Sequence, residues 1–243
     1  MAPLRGALIL ADGDAPTREL LDAAWPGWSD GIELIVAADG GARHAASLRF
    51  PIDIWVGDGD SIDPEQLARL EADGVDVRRV PTDKDETDAE LALRTAIEAK
   101  VERVVIIGGL GGPRLDHALA NLGLLEHPAL GRHGERGGKG VGVGAVAAVA
   151  ADAFDAAATR LSVLDGPDAR DLHGRAGDMV SLQPLGGTAH GVTTSDLRYP
   201  LVGEDLELGR TRGVSNVRTA AIARVSLESG RLLVIETPVI VGS

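Results

Sequence analysis

Short apolar runs alternate with amphipathic segments through the first half of the chain. Runs of strand length, bounded by charged or glycine-containing turns, occur at residues 4–11, 34–38, 52–57, 75–80 and 103–107. Strands that alternate with helical segments are typical of a parallel α/β sheet. We therefore expect the chain to begin with an α/β domain built on a parallel sheet.

Two segments between these runs carry helix signals. Asp63 is a suitable N-cap, Pro64 follows it in the first turn, and Gln66 stands where a capping box would have it. Residues 87–100 are rich in Ala, Leu and Glu, which favour helices. The sequence thus predicts one helix that begins after Asp63 and another over residues 87–100.

The pattern changes after Gly174. Short β-like runs separated by glycine-containing turns occur at residues 178–182, 221–227 and 231–235. They predict a smaller all-β domain over residues 173–243, after an α/β domain over residues 1–172. Residues 131–159 are rich in Gly and then in Ala, and we expect a flexible surface excursion there before a strand at 160–164.

The composition is that of an acidic protein without cysteine. The formal net charge of −13 disfavours nucleic acid and anionic membranes as partners, because an acidic protein without a basic block repels a polyanion. The lack of cysteine excludes disulfides and thiolate catalysis and fits a reducing cytosol, so we expect a cytoplasmic protein. Residues 1–11 make a poor signal peptide, and the weakly polar stretch at 141–151 is far shorter than the roughly 20 residues of a membrane helix.

Two carboxylates directly follow the apolar run that ends at Gly57. Asp58 and Asp60 are two positions apart, so on an extended chain both side chains leave the same face. Mg²⁺ prefers a few carboxylate oxygens together with substrate phosphates, which makes the pair a candidate metal site. Gly, Asp and Ser are also ordinary turn residues, so a polar turn that closes the strand is the alternative.

A second acidic string follows the run at 75–80. Residues 83–88 hold four acids and Lys84. The functional interpretation places Asp88 on a metal and Lys84 near a phosphate. The alternative is a helix N-terminus, whose dipole attracts acidic side chains.

A glycine-rich string follows the run at 103–107. Residues 108–112 contain four glycines and lead into Arg114, Asp116 and His117. Glycines let backbone amides approach an anion closely, and an arginine beside them offers a bidentate clamp for phosphate. The spacing fits neither a Walker A loop nor a GxGxxG fingerprint.

All these strings, and Asp39-Gly40-Gly41-Ala42 after the run at 34–38, fall at the carboxyl ends of predicted parallel strands. Ligands of open α/β sheets bind outside those ends. We therefore expect the strings to form one site.

Taken in order, the strings resemble the motifs of the thiamine pyrophosphokinase family. The matching strings are residues 39–42, 57–61, 84–88, and 111–117 with 120–121, and residues 197–201 and 209–216 are similar to two C-terminal segments of that family. The resemblance spans most of the chain. This sequence departs from the family's pattern in having Gly59 where a phenylalanine is common and in having Pro113 inserted before Arg114.

The resemblance implies a fold and an activity. The fold would be an α/β nucleotide-binding domain followed by a β-sandwich, paired in a homodimer with thiamine bound where the subunits meet. The activity would be the transfer of a diphosphate group from ATP to the hydroxyl of thiamine in the presence of Mg²⁺. The in-line attack of an alcohol on the negatively charged triphosphate of ATP depends on positioning the two reactants and on neutralising the phosphate oxygens.

Roles for individual residues follow from the same resemblance. Asp58, Asp60 and Asp88 would bind Mg²⁺, and Asp116 would face the substrate and orient or deprotonate its hydroxyl. Ser215 and Asn216 would contact thiamine from the β domain. The residues expected to contact ATP or its phosphates are Asp39, Lys84, Thr87, Gly111, Gly112 and Arg114.

Three alternatives stay open. A pyrophosphokinase acting on a hydroxymethylpterin would need the same metal and phosphate groups and a different acceptor pocket. A non-enzymatic nucleotide-sensing module would need fewer acids than the four present. A glycosyltransferase with a DxD motif is a weaker alternative than these two, because no sugar acceptor site is recognisable.

His117 lies in the glycine-rich string. For this residue the alternative to a role in the site is a structural one, in helix capping or hydrogen bonding.

Overall fold

The computed structural model describes residues 5–130 and 150–239, and these residues form two compact units. Residues 5–130 and 150–157 belong to the first unit, and residues 158–239 belong to the second. Most of the predicted excursion at 131–159 lies outside the described residues. Within the described part of the chain, no helix is long and apolar enough to cross a membrane.

The first unit contains a parallel sheet in the strand order β6-β5-β1-β2-β3-β4. The central strands β1 and β5 are almost entirely buried, as is usual for parallel sheets with both faces covered. The strands are β1 Gly6–Leu10, β2 Ile32–Ala38, β3 Ile54–Gly57, β4 Asp76–Arg79, β5 Arg103–Ile107 and β6 Ala150–Phe154. The α/β prediction is confirmed, and each of the five predicted runs contains or falls within an observed strand.

Helices connect these strands, and two of them begin where the sequence predicts. The helices are α1 Arg18–Ala24, α2 Ala45–Leu48, α3 Pro64–Ala72, α4 Asp88–Glu98 and α5 Leu115–Gly123. The carboxylate of Asp63 accepts hydrogen bonds from the first-turn amides of α3, and the hydroxyl of Thr87 accepts one from the Glu90 amide at the start of α4. These caps satisfy amides that the helices cannot pair internally.

Strand β6 corrects the prediction for residues 150–159. Residues 150–154 pair in parallel with β5 along its whole length, where a flexible excursion was expected. The segment is rich in Ala and has no β-branched residue, so its local preference for a strand is weak. Its pairing with a buried neighbouring strand outweighs that preference.

The second unit consists of two antiparallel sheets. One has the order β12-β9-β14-β7, and the other has the order β11-β10-β13-β8. Their strands are β7 Arg160–Asp165, β8 Asp168–His173, β9 Met179–Pro184, β10 Ala189–Ser195, β11 Glu204–Leu206, β12 Asn216–Val217, β13 Ile222–Leu227 and β14 Arg231–Thr237. The smaller all-β domain is therefore confirmed.

Alternate side chains of these strands build the core of the second unit. Buried and less buried positions alternate along β9 and β13, which is the pattern of strands with one face toward a core. Val180 and Leu232 of one sheet and Val192 and Val225 of the other belong to the same apolar cluster, as in a sandwich. The predicted domain boundary at 172/173 stays a prediction, while the compact units divide earlier, before β7.

Candidate active site

A cleft of about 420 Å³ opens at the carboxyl ends of the strands in the first unit. Its walls come from the segments that follow β1, β2, β3 and β5 and from the acidic string before α4. Among the residues that line it are Asp39, Asp58, Asp60, Lys84, Thr87, Asp88, Gly111, Gly112, Arg114 and His117. The structure thus brings the four predicted strings together, as the topology of an open α/β sheet requires.

Three carboxylates that line the cleft form a cluster: Asp39, Asp58 and Asp60 each offer one oxygen, and these oxygens lie within 4.8 Å of one another. Asp39 is only 3 % exposed. One of its oxygens accepts a hydrogen bond from the Ser61 amide at 3.0 Å, and the other is buried without a hydrogen-bond partner in the part of the chain that the structure describes. Burial raises the pKa of Asp39 to about 6, with further contributions from the neighbouring carboxylates of Asp60 and Asp88.

The loop after β3 fixes the other two carboxylates. The Asp60 amide donates to Asp58 Oδ1 at 3.1 Å, and this hydrogen bond is the main reason why the pKa of Asp58 is lowered. Gly59 between them has a φ of +85°, a left-handed conformation that costs a side-chain-bearing residue about 1–2 kcal/mol. Glycine, which stands here where a phenylalanine is common in the family, therefore suits the left-handed backbone between Asp58 and Asp60.

Lys84 lies between Asp58 and Asp88. Its Nζ is 3.1 Å from Asp88 Oδ1 and 3.4 Å from Asp58 Oδ2. Burial alone would lower the pKa of Lys84, but these two carboxylates raise it, so the side chain is charged. Burial raises the pKa of Asp88, while Lys84 acts in the opposite direction. Of the predicted metal set, the structure groups Asp58 and Asp60 with Asp39 and places Asp88 beside the lysine.

The glycine loop, residues 108–112, folds against the segment after β1. A Cβ on Gly108 would stand 2.1 Å from the Ala11 carbonyl oxygen, so only glycine fits there. Gly111 and Gly112 have φ of +93° and +80°, and successive amides in such a turn can converge on an anion. The buried side chain of Asn121, in α5, donates to the Gly109 carbonyl at 3.0 Å and ties the loop to the helix.

Arg114 and Asp116 bind each other in two hydrogen bonds of 2.9 and 2.6 Å. Both side chains are largely exposed. Arg114 lines the cleft, and its guanidinium holds the pKa of Asp116 well below the usual range. A carboxylate in this pair can orient a hydroxyl, but it accepts a proton poorly while the pair persists.

Ser215 and Asn216 lie in the second unit, at the start of β12. Ser215 is exposed and has a φ of +59°, and its amide donates to Ser181 Oγ at 2.9 Å. Asn216 is buried, and its side chain makes three hydrogen bonds with backbone groups: it accepts from the amides of Tyr199 and Val217 and donates to the Tyr199 carbonyl. The Asn216 amide is thus occupied in holding the Tyr199 segment.

Sequence reasoning missed the residues that hold the loop after β1. Arg43 and His44, which follow the Asp39 string, donate to the Gly13 carbonyl at 3.0 and 2.8 Å, the latter by the ring Nε2. Arg43 also forms an ion pair with Asp12. Asp12 and Asp14 directly follow the first apolar run, so the signal that drew attention to Asp58 and Asp60 was present here as well.

Two family models match separate parts of the chain. Residues 28–133 match the model described as "Thiamin pyrophosphokinase, catalytic domain", and residues 169–232 match the one described as "Thiamin pyrophosphokinase, vitamin B1 binding domain". The first contains the whole acidic cluster and the glycine loop. The second contains Ser215 and Asn216.

Relatives and solved structures agree with these matches. A curated thiamine pyrophosphokinase from Bacillus subtilis (strain 168) is 33 % identical over 100 residues, which is 41 % of this chain and 46 % of that protein, so the match spans about half of the relative. The crystal structure of a Bacillus subtilis thiamine pyrophosphokinase superposes with a TM-score of 0.78 at 24 % identity, covering 97 % of this chain and all of that one. The thiamin pyrophosphokinase from Candida albicans gives 0.67 at 16 %, covering 96 % and 89 %. At these identities the solved structures establish the fold, and with both family models the chain belongs to the thiamin pyrophosphokinase family.

Proposed function

We propose that the protein transfers a diphosphate group from ATP to the hydroxyl of thiamine, which yields thiamine diphosphate and AMP. One observation carries this proposal. A cleft that combines three clustered carboxylates with a lysine and a glycine loop lies in the region that matches the family's catalytic domain. A separate β unit matches the vitamin B1 binding domain.

The carboxylate cluster supports binding of Mg²⁺. Asp39 has a buried oxygen that no group of residues 5–130 or 150–239 binds, and its neighbours Asp58 and Asp60 supply further oxygens within 4.8 Å. A buried carboxylate next to two others is unfavourable unless a cation offsets the charge. Asp39, Asp58 and Asp60 would hold the ion, which would neutralise phosphate oxygens and orient them. Asp88 would act on this set by positioning Lys84.

The residues around the cluster serve the diphosphate transfer. The hydroxyl oxygen of thiamine attacks the β-phosphorus, the bond from that phosphorus to the α–β bridging oxygen breaks, AMP leaves with that oxygen, and the hydroxyl proton passes to solvent water. Lys84 and Arg114 supply positive charge, and amides of Gly111 and neighbouring residues donate to phosphate oxygens. Asp116 orients the attacking hydroxyl. Thr87 contributes by capping α4 at the cleft wall.

The second unit supplies thiamine contacts in this proposal. Ser215 is exposed in a left-handed conformation, and such strained positions cluster at binding sites. Asn216 supports it by fixing the Tyr199 segment. A homodimer with thiamine bound where the subunits meet, and a cytoplasmic location, belong to the proposal as expectations.

Product analysis with two acceptors tests the proposal. The protein is incubated with ATP, Mg²⁺ and either thiamine or a hydroxymethylpterin, and the products are identified by mass spectrometry. Thiamine diphosphate together with AMP is the expected result. A pterin diphosphate would reassign the acceptor, and the absence of any AMP would leave a nucleotide-sensing module. The comparisons give no support to either of these alternatives.

A further inference from the structure

The segment after β1 touches the glycine loop at two points. The Gly13 amide donates to the Gly108 carbonyl at 2.7 Å, and Asp14 Oδ2 accepts from the Gly112 amide at 2.9 Å. The contact is close, because a Cβ on Gly13 would stand 2.5 Å from the Gly108 carbonyl oxygen. Residues 13 and 14 therefore fix both ends of the loop.

Asp14 acts on the part of the loop that is shaped for an anion. Gly111 and Gly112 both have positive φ, and the carboxylate of Asp14 accepts from the second amide. A Cβ on Gly111 would stand 3.2 Å from the same oxygen. Asp14 lies outside the lining of the cleft, whereas Gly111 and Gly112 line it. The carboxylate of Asp14 thus contacts the loop without itself being part of the cleft lining.

The segment after β1 is itself held by residues that follow the Asp39 string. Arg43 and His44 both bind the Gly13 carbonyl. Hydrogen bonds therefore connect the Asp39 string to Gly13, and Gly13 with Asp14 to the glycine loop. The Asp39 string and the glycine loop are therefore connected through Gly13 and Asp14, which belong to none of the motifs.

We propose that Asp14 is a positioning residue, which acts through the Gly112 amide to hold the glycine loop in the conformation that binds the phosphates of ATP. This inference rests on the proposed function for the identity of the nucleotide. Without the Asp14 carboxylate, a loop with several left-handed glycines has many accessible conformations, and ATP must order it on binding. The carboxylate removes that cost before ATP arrives.

Titration calorimetry with Mg²⁺ and ATP, without thiamine, measures the effect on the wild type, Asp14→Ala and Asp14→Asn. Asp14→Ala should weaken ATP binding by about three- to tenfold, the range for one typical hydrogen bond. Asp14→Asn keeps an acceptor oxygen and should stay within about twofold of the wild type. Asp73→Ala, an exposed acid at the C-cap of α3, serves as the matched control and should change nothing.

Two further measurements separate positioning from a general loss of structure. In ¹H–¹⁵N spectra the Gly112 amide signal should move in Asp14→Ala and return toward its wild-type position in Asp14→Asn. In a double-mutant cycle with His44→Ala, the losses in ATP affinity should be less than additive, because both residues act through the same segment. In turnover, Asp14→Ala should raise the KM for ATP more than it lowers kcat.

Several results would overturn the inference. Unchanged ATP affinity in Asp14→Ala would show that the contact has no role, and tighter binding would show that Asp14 competes with phosphate. Failure of Asp14→Asn to recover affinity would assign the effect to charge alone. If the wild type bound ATP but formed no thiamine diphosphate, the proposed function would fail, while these titrations and spectra would still decide the role of Asp14.

Discussion

Two buried carboxylates in this protein have opposite surroundings. Glu236, in the second unit, has a side chain that is 1 % exposed, and it binds Arg160 at 2.5 Å and also Arg218, which is fully buried. Asp39, in the first unit, is 3 % exposed and has two other carboxylates as its neighbours. Burial of charge is costly in both places, but of these two carboxylates only Glu236 forms ion pairs with cations among the described residues.

The difference separates charge that supports the fold from charge that is held ready for a ligand. The charges around Glu236 are offset within the unit: Glu236 binds two arginines, Arg218 also donates to the Leu172 carbonyl, and Asp178 accepts from the amides of Arg175 and Val239, although Arg218 Nε has no hydrogen-bond partner among the described residues. Around Asp39 a carboxylate oxygen also lacks a partner among the described residues, and its neighbours are carboxylates instead of arginines. Substitutions in the two regions should therefore affect different properties.

The largest effect is expected for Glu236→Gln. Removing one member of a buried ion pair leaves the other charge uncompensated, so the free energy of unfolding should fall by about 3–5 kcal/mol. Urea denaturation followed by circular dichroism measures it. Glu204→Gln is the matched control, because Glu204 pairs with Arg212 on the surface, where such a pair contributes about 0–1 kcal/mol. Equal losses in the two variants would contradict the structural role of the buried pair.

Asp58→Asn should affect activity much more than stability. Turnover should fall at least about a hundredfold, the loss typical of one electrostatic contact in the transition state. The melting temperature without Mg²⁺ should change little, because a charge leaves a cluster of carboxylates while the contact with Lys84 is weakened. Asp88→Asn should lower turnover to a similar extent. Near-normal activity together with early melting would mean that these acids support the fold.

Asp39→Asn tests the uncompensated charge by its dependence on pH. In the folded protein the pKa of Asp39 is raised to about 6 from an ordinary value near 3.8, so the folded state binds the proton more tightly and stability falls as pH rises through that interval. Without divalent cations, Asn at this position should stabilise the protein by roughly 1–3 kcal/mol at pH 8 and by little at pH 4. Mg²⁺ should stabilise the wild type at pH 8 and should act more weakly on the variant. An equal gain at both pH values would contradict the charge argument.

The smallest effect separates the two neighbours at β12. Asn216→Ala should lower the free energy of unfolding by about 1–3 kcal/mol, because it leaves backbone groups of Tyr199 without partners. Ser215→Ala should leave stability nearly unchanged and raise the KM for thiamine more than that for ATP. Thermal melts and steady-state kinetics on both variants measure this. An Asn216→Ala variant with normal stability and a large loss for thiamine would assign Asn216 to the substrate.

The sequence predicted the frame of the site because strand ends are a property of local patterns. The run at 103–107 coincides with β5, and Asp63 caps α3 as expected. Which of the acids lie together in the cluster was harder to predict from the sequence. The assignment of Asp58, Asp60 and Asp88 to the metal, with Asp39 among the ATP contacts, stays a prediction, and the structure adds that Asp39, from a different strand end, lies within 4.8 Å of Asp58 and Asp60. That proximity depends on the distances between neighbouring strands of the sheet, which spacing along the chain does not contain.

Individual hydrogen bonds between distant segments were not predictable, although the convergence of the strand ends was. Asp14 and Gly112 are separated by 98 residues, and no periodicity or motif links them. Strand β6 was missed for a similar reason, since its pairing with β5 outweighs a weak local preference. Asn216 was recognised as part of a motif, but its role in holding Tyr199 depends on a chain segment that lies 17 residues away.

Phosphorus NMR of the reaction with ATP, Mg²⁺ and thiamine identifies the transferred group itself. The acidic cluster and the glycine loop are proposed to promote transfer of the β- and γ-phosphates as one group. We expect the signals of thiamine diphosphate and AMP to grow together as ATP disappears, and neither product to form when EDTA removes the metal. Accumulation of ADP or thiamine monophosphate would show that a single phosphoryl group moves, and it would contradict the proposed reaction.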